Sequence, residues 1–428
     1  MSKSSAVAGS TGPSFARRRR WIPISLLSLA ALINYLDRGS LSVALPFVAR
    51  DMQLDPLQQG WALAAFSITY TLFQLPAGWM ADRWRLKWLY AGAFALWCLA
   101  SAATGLAGDL AMLIFFRLLL GIGESINLPG GLRFISEQFD SHERAVPSAI
   151  FDVGCKAGLA IGLVVEAWIL RNFGWSWMFL STGLIGLLWL LPWLLLYPAP
   201  SIAAASRRAA PPLSALIGIV RSRNTWGMAA GFFCWNYFWY LLISWGPSYL
   251  YTVRRISLSH LGWVAGGIYL VIACSEITGG WLTGVLMRRG WSVTRSIKTI
   301  IVVGFSLGLF VMPACLATGR NLALLFLYIS ALSGVLISAI LVVPQQCAPP
   351  NEVGSYVSFQ NFIGNLPGII GPVITGWIVR RSGSFVPAFS IGAVACVGGI
   401  ACYVWWMKTF KSENTSRNVN AADQAIFE

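Results

Sequence analysis

Apolar stretches of about 20 residues, the length that crosses a hydrocarbon core roughly 30 Å thick, recur along this chain. They fall near residues 21–45, 60–81, 88–107, 110–132, 145–170, 176–197, 225–251, 261–286, 296–317, 321–347, 355–379 and 385–408. About twelve membrane spans are expected, all helical, because a lone helix satisfies its own backbone in lipid. Composition agrees: 57% of the 428 residues are hydrophobic and only 11% are charged. Soluble domains carry roughly 25% charged residues, so this is an all-α integral membrane protein.

The basic residues orient it. With a cytoplasmic N-terminus, the outer loops hold only Arg50, Arg171, Arg254, Arg255, Arg320, Arg380 and Arg381. Apart from Arg38, Arg117 and Lys156, which fall within spans, every other Lys and Arg lies on the inner side. Both termini are therefore expected in the cytoplasm. The first span follows Arg17 to Arg20 and is too long and too charged for a cleaved leader. Short loops and no long lumenal insert point to a bacterial inner membrane, with a monomer as the default.

A net charge of +15 is thus mostly topology. Split among short loops, it forms no single basic face for nucleic acid. The eight Cys lie in or at the ends of apolar spans without metal or disulfide spacing, and His142 and His260 fall in loops. No cofactor or metal is expected. No nucleophile with a base, nor a phosphate loop, suggests an enzyme.

Five segments follow: an N-tail over 1–20, a six-helix bundle over 21–197, a linker over 198–224 rich in small residues and Pro, a second bundle over 225–411, and a C-tail over 412–428. The halves look like repeats. SHERAVPSAIFDVGCKAG, from Ser141, lies over PPNEVGSYVSFQNFIGNLPG, from Pro349, bringing Glu143 to Glu352, Asp152 to Asn361 and Lys156 to Asn365. PAGWMADRWRLKW lies over TGGWLTGVLMRRG, keeping Gly78 with Gly280 and Trp79 with Trp281. Two duplicated six-helix halves are the arrangement of large secondary transporters, which bind substrate between them near the midplane.

Charges inside the spans matter most, because each costs about 2.5–3.5 kcal/mol at a helix centre on insertion scales. INYLDRGSLSVALP, Ile33 to Pro46, holds Asp37 and Arg38, and FRLLLGIGESINLP, Phe116 to Pro129, holds Arg117 and Glu124. Arg117 and Glu124 lie about two turns apart on one face, whereas Asn34 and Arg38 share a face with Asp37 about 100° round.

These motifs carry a family resemblance. GWMADRWRLK, Gly78 to Lys87, resembles the loop between the second and third helices of the major facilitator superfamily, with Arg85 departing from its usual Gly. The stretches around Asp37 and Glu124, with FFCWNYFWYLLISWGPSYL from Phe232 and NFIGNLPGIIGP from Asn361, resemble its anion:cation symporter branch. That branch includes hexuronate, aldonate and phthalate-type carriers. The resemblance implies the twelve-helix major facilitator fold and proton-coupled uptake of an organic anion. Equivalents of Asp37 and Glu124 carry protons in the family, and equivalents of Arg38 and Arg117 bind carboxylate.

The chemistry is consistent with that division. A guanidinium cannot lose its proton and matches a carboxylate with two parallel hydrogen bonds. A desolvated carboxyl group can titrate in the working range. In the alternative, Asp37 with Arg38 and Glu124 with Arg117 are ion pairs that only hold helices together.

Asp152 and Lys156, one turn apart, either read part of the substrate or merely neutralise each other. Tyr35, Tyr70, Asn236, Tyr240, Gln360 and Asn361 are candidate contacts to a polyol or carboxylate. Asp82, Arg83, Glu143 and Arg144 are expected to form cytoplasmic charge contacts that break as the halves rock. An antiporter or exporter of the same fold is the second hypothesis, because FRLLLGIG resembles a fourth-helix antiporter motif and Gly154, Gly158 and Gly162 recur every turn. Glu166 and Glu276 have no evident partner in sequence.

Overall fold

The computed structural model describes residues 20–139, 145–197, 220–348 and 353–407, which contain helix and turn and no strand. Helix covers each apolar stretch. The first half of the chain contains α1 (Trp21–Asp51), α2 (Pro56–Arg83), α3 (Leu86–Thr104), α4 (Leu110–Glu124), α5 (Asn127–Gln138), α6 (Ala145–Gly186) and α7 (Leu190–Leu196). The second half contains α8 (Arg223–Thr252), α9 (Leu258–Arg288), α10 (Val293–Gly308), α11 (Val311–Leu316), α12 (Arg320–Ala331), α13 (Ile337–Cys347), α14 (Val353–Ser382) and α15 (Val386–Ala401).

Among the described residues, eight helical runs are long and apolar enough to cross a membrane by length and composition. The long helices α1, α2 and α8 fall below that level, because Asn34, Asp37, Arg38 and several Ser, Thr, Gln, Asn and Tyr residues dilute them. These are helices to which the sequence assigns site residues.

Local signals account for the helix ends. Asp55 and Gln58 form a capping box at the start of α2, with Pro56 in the first turn, where its missing N–H costs nothing. Asp109, Ser222 and Ser292 accept backbone N–H bonds at the starts of α4, α8 and α10. Gly174, at φ +85°, turns α6 back on itself between the fifth and sixth expected spans, a backbone region that glycine enters without strain. The fourth span breaks directly after Glu124, where Ser125 and Ile126 separate α4 from α5 and Pro129 removes a donor from the new first turn.

Helices α1 and α6 run side by side in parallel through a ladder of small residues. A methyl group on Gly154 or Gly158 would run into the Ser28 or Leu32 carbonyl, and one on Gly162 would come 2.9 Å from the Leu36 side chain. Such stripes let backbones close up where lipid supplies no hydrophobic drive between helices. Every-turn glycine spacing therefore serves helix packing here.

Contacts divide the molecule into two faces. One carries Arg20, which donates to the Gln138 carbonyl at 3.1 Å, and Trp193, which donates to the Lys87 carbonyl at 3.0 Å. The opposite, far face carries Asp51, which accepts from the Trp175 indole at 2.9 Å. Contacts between the two halves of the chain gather toward this far face. Gly60 approaches Pro372, Gly376 approaches Pro56, Asp55 pairs with Arg380 at 3.6 Å, and the rings of Phe47 and Tyr251 lie 5.1 Å apart. Gly262 and Gly266 of α9 pack on Leu163, Val164 and Ala160 of α6.

Candidate functional site

Ionisable groups of α1 and α4 meet inside the first half. Arg38 Nε donates to Glu124 Oε2 at 3.3 Å; the Arg38 side chain keeps 12% of its surface exposed and Glu124 none. Its guanidinium lies 4.3 Å from the Tyr70 ring centroid, 4.6 Å from Tyr35 and 5.3 Å from Phe66. The rings hold the planar cation by cation–π attraction and leave its edge for hydrogen bonding.

Asp37 points elsewhere. Its Oδ1 accepts from the Ser101 hydroxyl of α3 at 2.6 Å, while Oδ2 has no hydrogen-bond partner among the described residues. The in-helix pairings of Asp37 with Arg38 and of Glu124 with Arg117 give way to Arg38 with Glu124, a bond between helices. Adjacent residues on a helix face different neighbours, so the sequence neighbours Asp37 and Arg38 separate.

Arg117 is buried, 5.7 Å above Phe66, and its Nε and Nη1 have no acceptor among the described residues. The charges acting on it are those of Glu124, Asp37 and Glu166. Glu124 Oε1 and both polar atoms of Asn34 are likewise buried without a partner. Buried polar groups normally find one, at a cost of about 1–3 kcal/mol when they do not. So many in one place mark a site whose hydrogen bonds are completed by something other than these side chains.

The second half contributes amides and hydroxyls. Tyr240 donates to Asn365 Oδ1 at 3.1 Å and is among the groups acting on Arg38, so it faces the cation across the interface. Asn236 is half-buried beside Gly364, and Asn361 is half-buried with its carbonyl accepting from Asn365. Gln360 does not join them. It is buried with its amide reaching the Ile340 carbonyl at 3.5 Å, because its face of α14 packs on α13 instead of lining the interface.

Lys156 bonds Asp152 on its own helix and Glu276 of α9 at 3.2 Å, which ties the two halves together. Nothing in the spacing of the sequence joins Lys156 to Glu276. The same holds for Ser101, a small hydroxyl in an apolar run, and for Phe66. Asn365 alone carried a signal, as the repeat partner of Lys156.

Of the expected gate, Arg83 is exposed and stacks on Trp79 at 4.5 Å within α2. Glu143 and Arg144 lie outside the described residues, as does the side chain of Asp82. Among the described residues no cluster of His, Cys, Asp and Glu could hold a metal ion.

The Major Facilitator Superfamily profile matches residues 27–372. The chain is 27% identical to the D-galactonate transporter of Escherichia coli O6:H1, over 90% of this chain and 95% of that protein. It is 29% identical to the hexuronate transporter of Bacillus subtilis (89% and 92%) and 28% identical to the probable galactarate/D-glucarate transporter GudP of Escherichia coli K12 (90% and 92%). In fold it is similar to a bacterial homolog of the human lysosomal transporter Spinster, with a TM-score of 0.73 at 20% identity, covering 93% of this chain and 95% of that one. It is also similar to the nucleoside transporter NupG, with a TM-score of 0.70 at 15% identity, covering 92% and 100%.

Proposed function

The chain belongs to the Major Facilitator Superfamily, and from that premise we propose that it takes up an organic anion, a sugar acid foremost, by proton-coupled symport. It is a transporter and not an enzyme. The named relatives carry galactonate, hexuronate or glucarate-type acids, which supports a sugar acid as the cargo. The observation that carries the proposal is a pair of guanidiniums beside carboxyl groups, the largely enclosed Arg38 bonded to Glu124 and the buried Arg117 with Nε and Nη1 unpartnered among the described residues.

A carboxylate arriving from the outer face offers Arg117 the acceptors it lacks and competes with Glu124 for Arg38. Released from its cation in a site of low dielectric, Glu124 takes a proton, so anion and proton load together. Asp37, turned to Ser101, is the second proton carrier. Tyr35, Tyr70, Asn236, Tyr240 and Asn361 suit the hydroxyls of a polyol chain, so the cargo is gripped by both halves. Asp152 and Lys156, with Glu276, serve the movement between halves.

Both termini in the cytoplasm would make the face with Asp55 and Arg380 the outer one, and the closure there corresponds to an inward-directed state. The gating role of Asp82, Arg83, Glu143 and Arg144 belongs to the opposite, cytoplasmic end. A bacterial inner membrane and a monomer complete the proposal. An exporter has less in its favour, since packing against α1 accounts for the Gly154, Gly158 and Gly162 spacing.

The test is external pH in lightly buffered cells expressing the protein, with aldonates, hexuronates, aldarates and phthalate-type acids added singly. Alkalinisation with one class is expected. The Glu124→Gln variant is expected to lose it while keeping counterflow exchange, and equal loss of both would rule out Glu124 as the proton site.

A further inference from the structure

We infer that Glu166 is a third titrating carboxyl group of the site and that it shares one proton with Asp37 across Arg117. This rests on the proton-coupled proposal above. The glycine ladder supplies the geometry. Gly154 lies against Ser28, Gly158 against Leu32 and Gly162 against Leu36, so each turn of α6 meets the matching turn of α1. Continued by one turn, the same register would bring Glu166 level with Ser40, a turn beyond Asp37.

Glu166 is fully buried, and neither carboxyl oxygen finds a hydrogen-bond partner among the described residues. The Ser40 hydroxyl is already spent on the Asp37 carbonyl at 2.7 Å. The charged groups acting on Glu166 are Asp37 of α1 and Arg117 of α4. The stretch of α9 that packs here, Leu261 to Gly266, holds no ionisable side chain, and α3 turns Cys98 and Ser101 toward Asp37. An ionisable group at this depth is a functional group by default, with its partner to be named. Here the partner is Arg117, which has donors to spare.

Charge neutrality says what the group does. The two guanidiniums face three acids, so the empty site is neutral with one proton among Asp37, Glu124 and Glu166. Glu124 is bonded to Arg38, which leaves that proton to Asp37 and Glu166. Two interacting carboxyls titrate as a pair, the charge of either opposing ionisation of the other. A bound monoanion requires a second proton, and Glu124, displaced from Arg38, receives it. The cluster thus holds one proton shared by Asp37 and Glu166, beside the proton that Glu124 takes up with the substrate.

The test needs no substrate: pH-difference infrared spectroscopy of the purified protein in lipid, following the carbonyl stretch of protonated carboxyls from roughly pH 5 to 9. Glu166→Gln is expected to remove one titrating band and to move the remaining Asp37 step to lower pH, because the repelling charge is gone. Glu166→Asp should keep a titrating band at a shifted frequency, which keeps the test decisive should Glu166→Gln not fold. A Glu166→Gln or Glu166→Asp spectrum that superposes on wild type, while Glu124→Gln loses its own band, overturns this inference alone. A wild type without any titrating buried carboxyl overturns both this inference and the proton-coupled proposal.

Discussion

Arg117 and Lys156 are both cations within spans of the first half, and they are provided for in opposite ways. Lys156 is held by Asp152 and by Glu276 from the other half of the chain, while Arg117 keeps Nε and Nη1 without an acceptor among the described residues. A cation paired with two carboxylates of its own protein has its charge already compensated, and removing either partner would leave the rest out of balance. A cation left short of acceptors is prepared for a ligand that brings them. Counting charges alone would have treated the two alike; counting hydrogen bonds separates them.

The sharpest way to break this contrast is Arg117→Lys. An ammonium cannot reproduce the planar fork, so apparent substrate affinity is expected to fall on the order of 10- to 100-fold in proteoliposome uptake. Unchanged affinity would make Arg117 as structural as Lys156. Next comes Lys156→Ala, expected to slow transport several-fold and to act equally on monoacids and diacids, matched by Glu276→Ala. Selective loss of diacids would mean that Lys156 reads a second carboxylate and that the contrast is wrong. Smaller again is Tyr240→Phe, which removes one neutral hydroxyl facing Arg38. A change within about tenfold in affinity is expected, in keeping with roughly 0.5–1.5 kcal/mol for such a bond. Least affected should be Ser101→Ala, which leaves Asp37 in place without its hydroxyl donor. It is expected to move the pH profile of uptake while the maximal rate stays near wild type, and an unmoved profile would remove Asp37 from the proton path.

The fold was legible because its signal is coarse: a span is a matter of length and apolarity, and even the turn at Gly174 lay between two expected stretches. Faces were legible too, since helical geometry says which residues project together. Partners were not. That Arg38 would meet Glu124 on another helix, or Lys156 meet Glu276 in the other half, depends on how helices rotate against one another, and that is set by packing. Gly154, Gly158 and Gly162 contain the packing information, but their spacing equally suits a functional motif until the Ser28 and Leu32 carbonyls are seen against them. Gln360 illustrates the converse. It sits beside Asn361 in sequence, yet one residue along a helix turns it into the packing against α13.

The ladder between α1 and α6 also bears on how affinity is distributed across a transport cycle. Two helices locked turn by turn move as one girder, and this girder bears Arg38, Asp37, Lys156 and Glu166. In the proposed rocking cycle these charged groups would keep their register with one another, with Arg117 and Glu124 beside them on α4. The contacts that would be remade at each crossing reach over from the second half: those of Tyr240, Asn236 and Asn361, and the bond of Glu276 to Lys156. A difference in grip between the two sides, and hence the readiness to let go on arrival, would then be set from the second half.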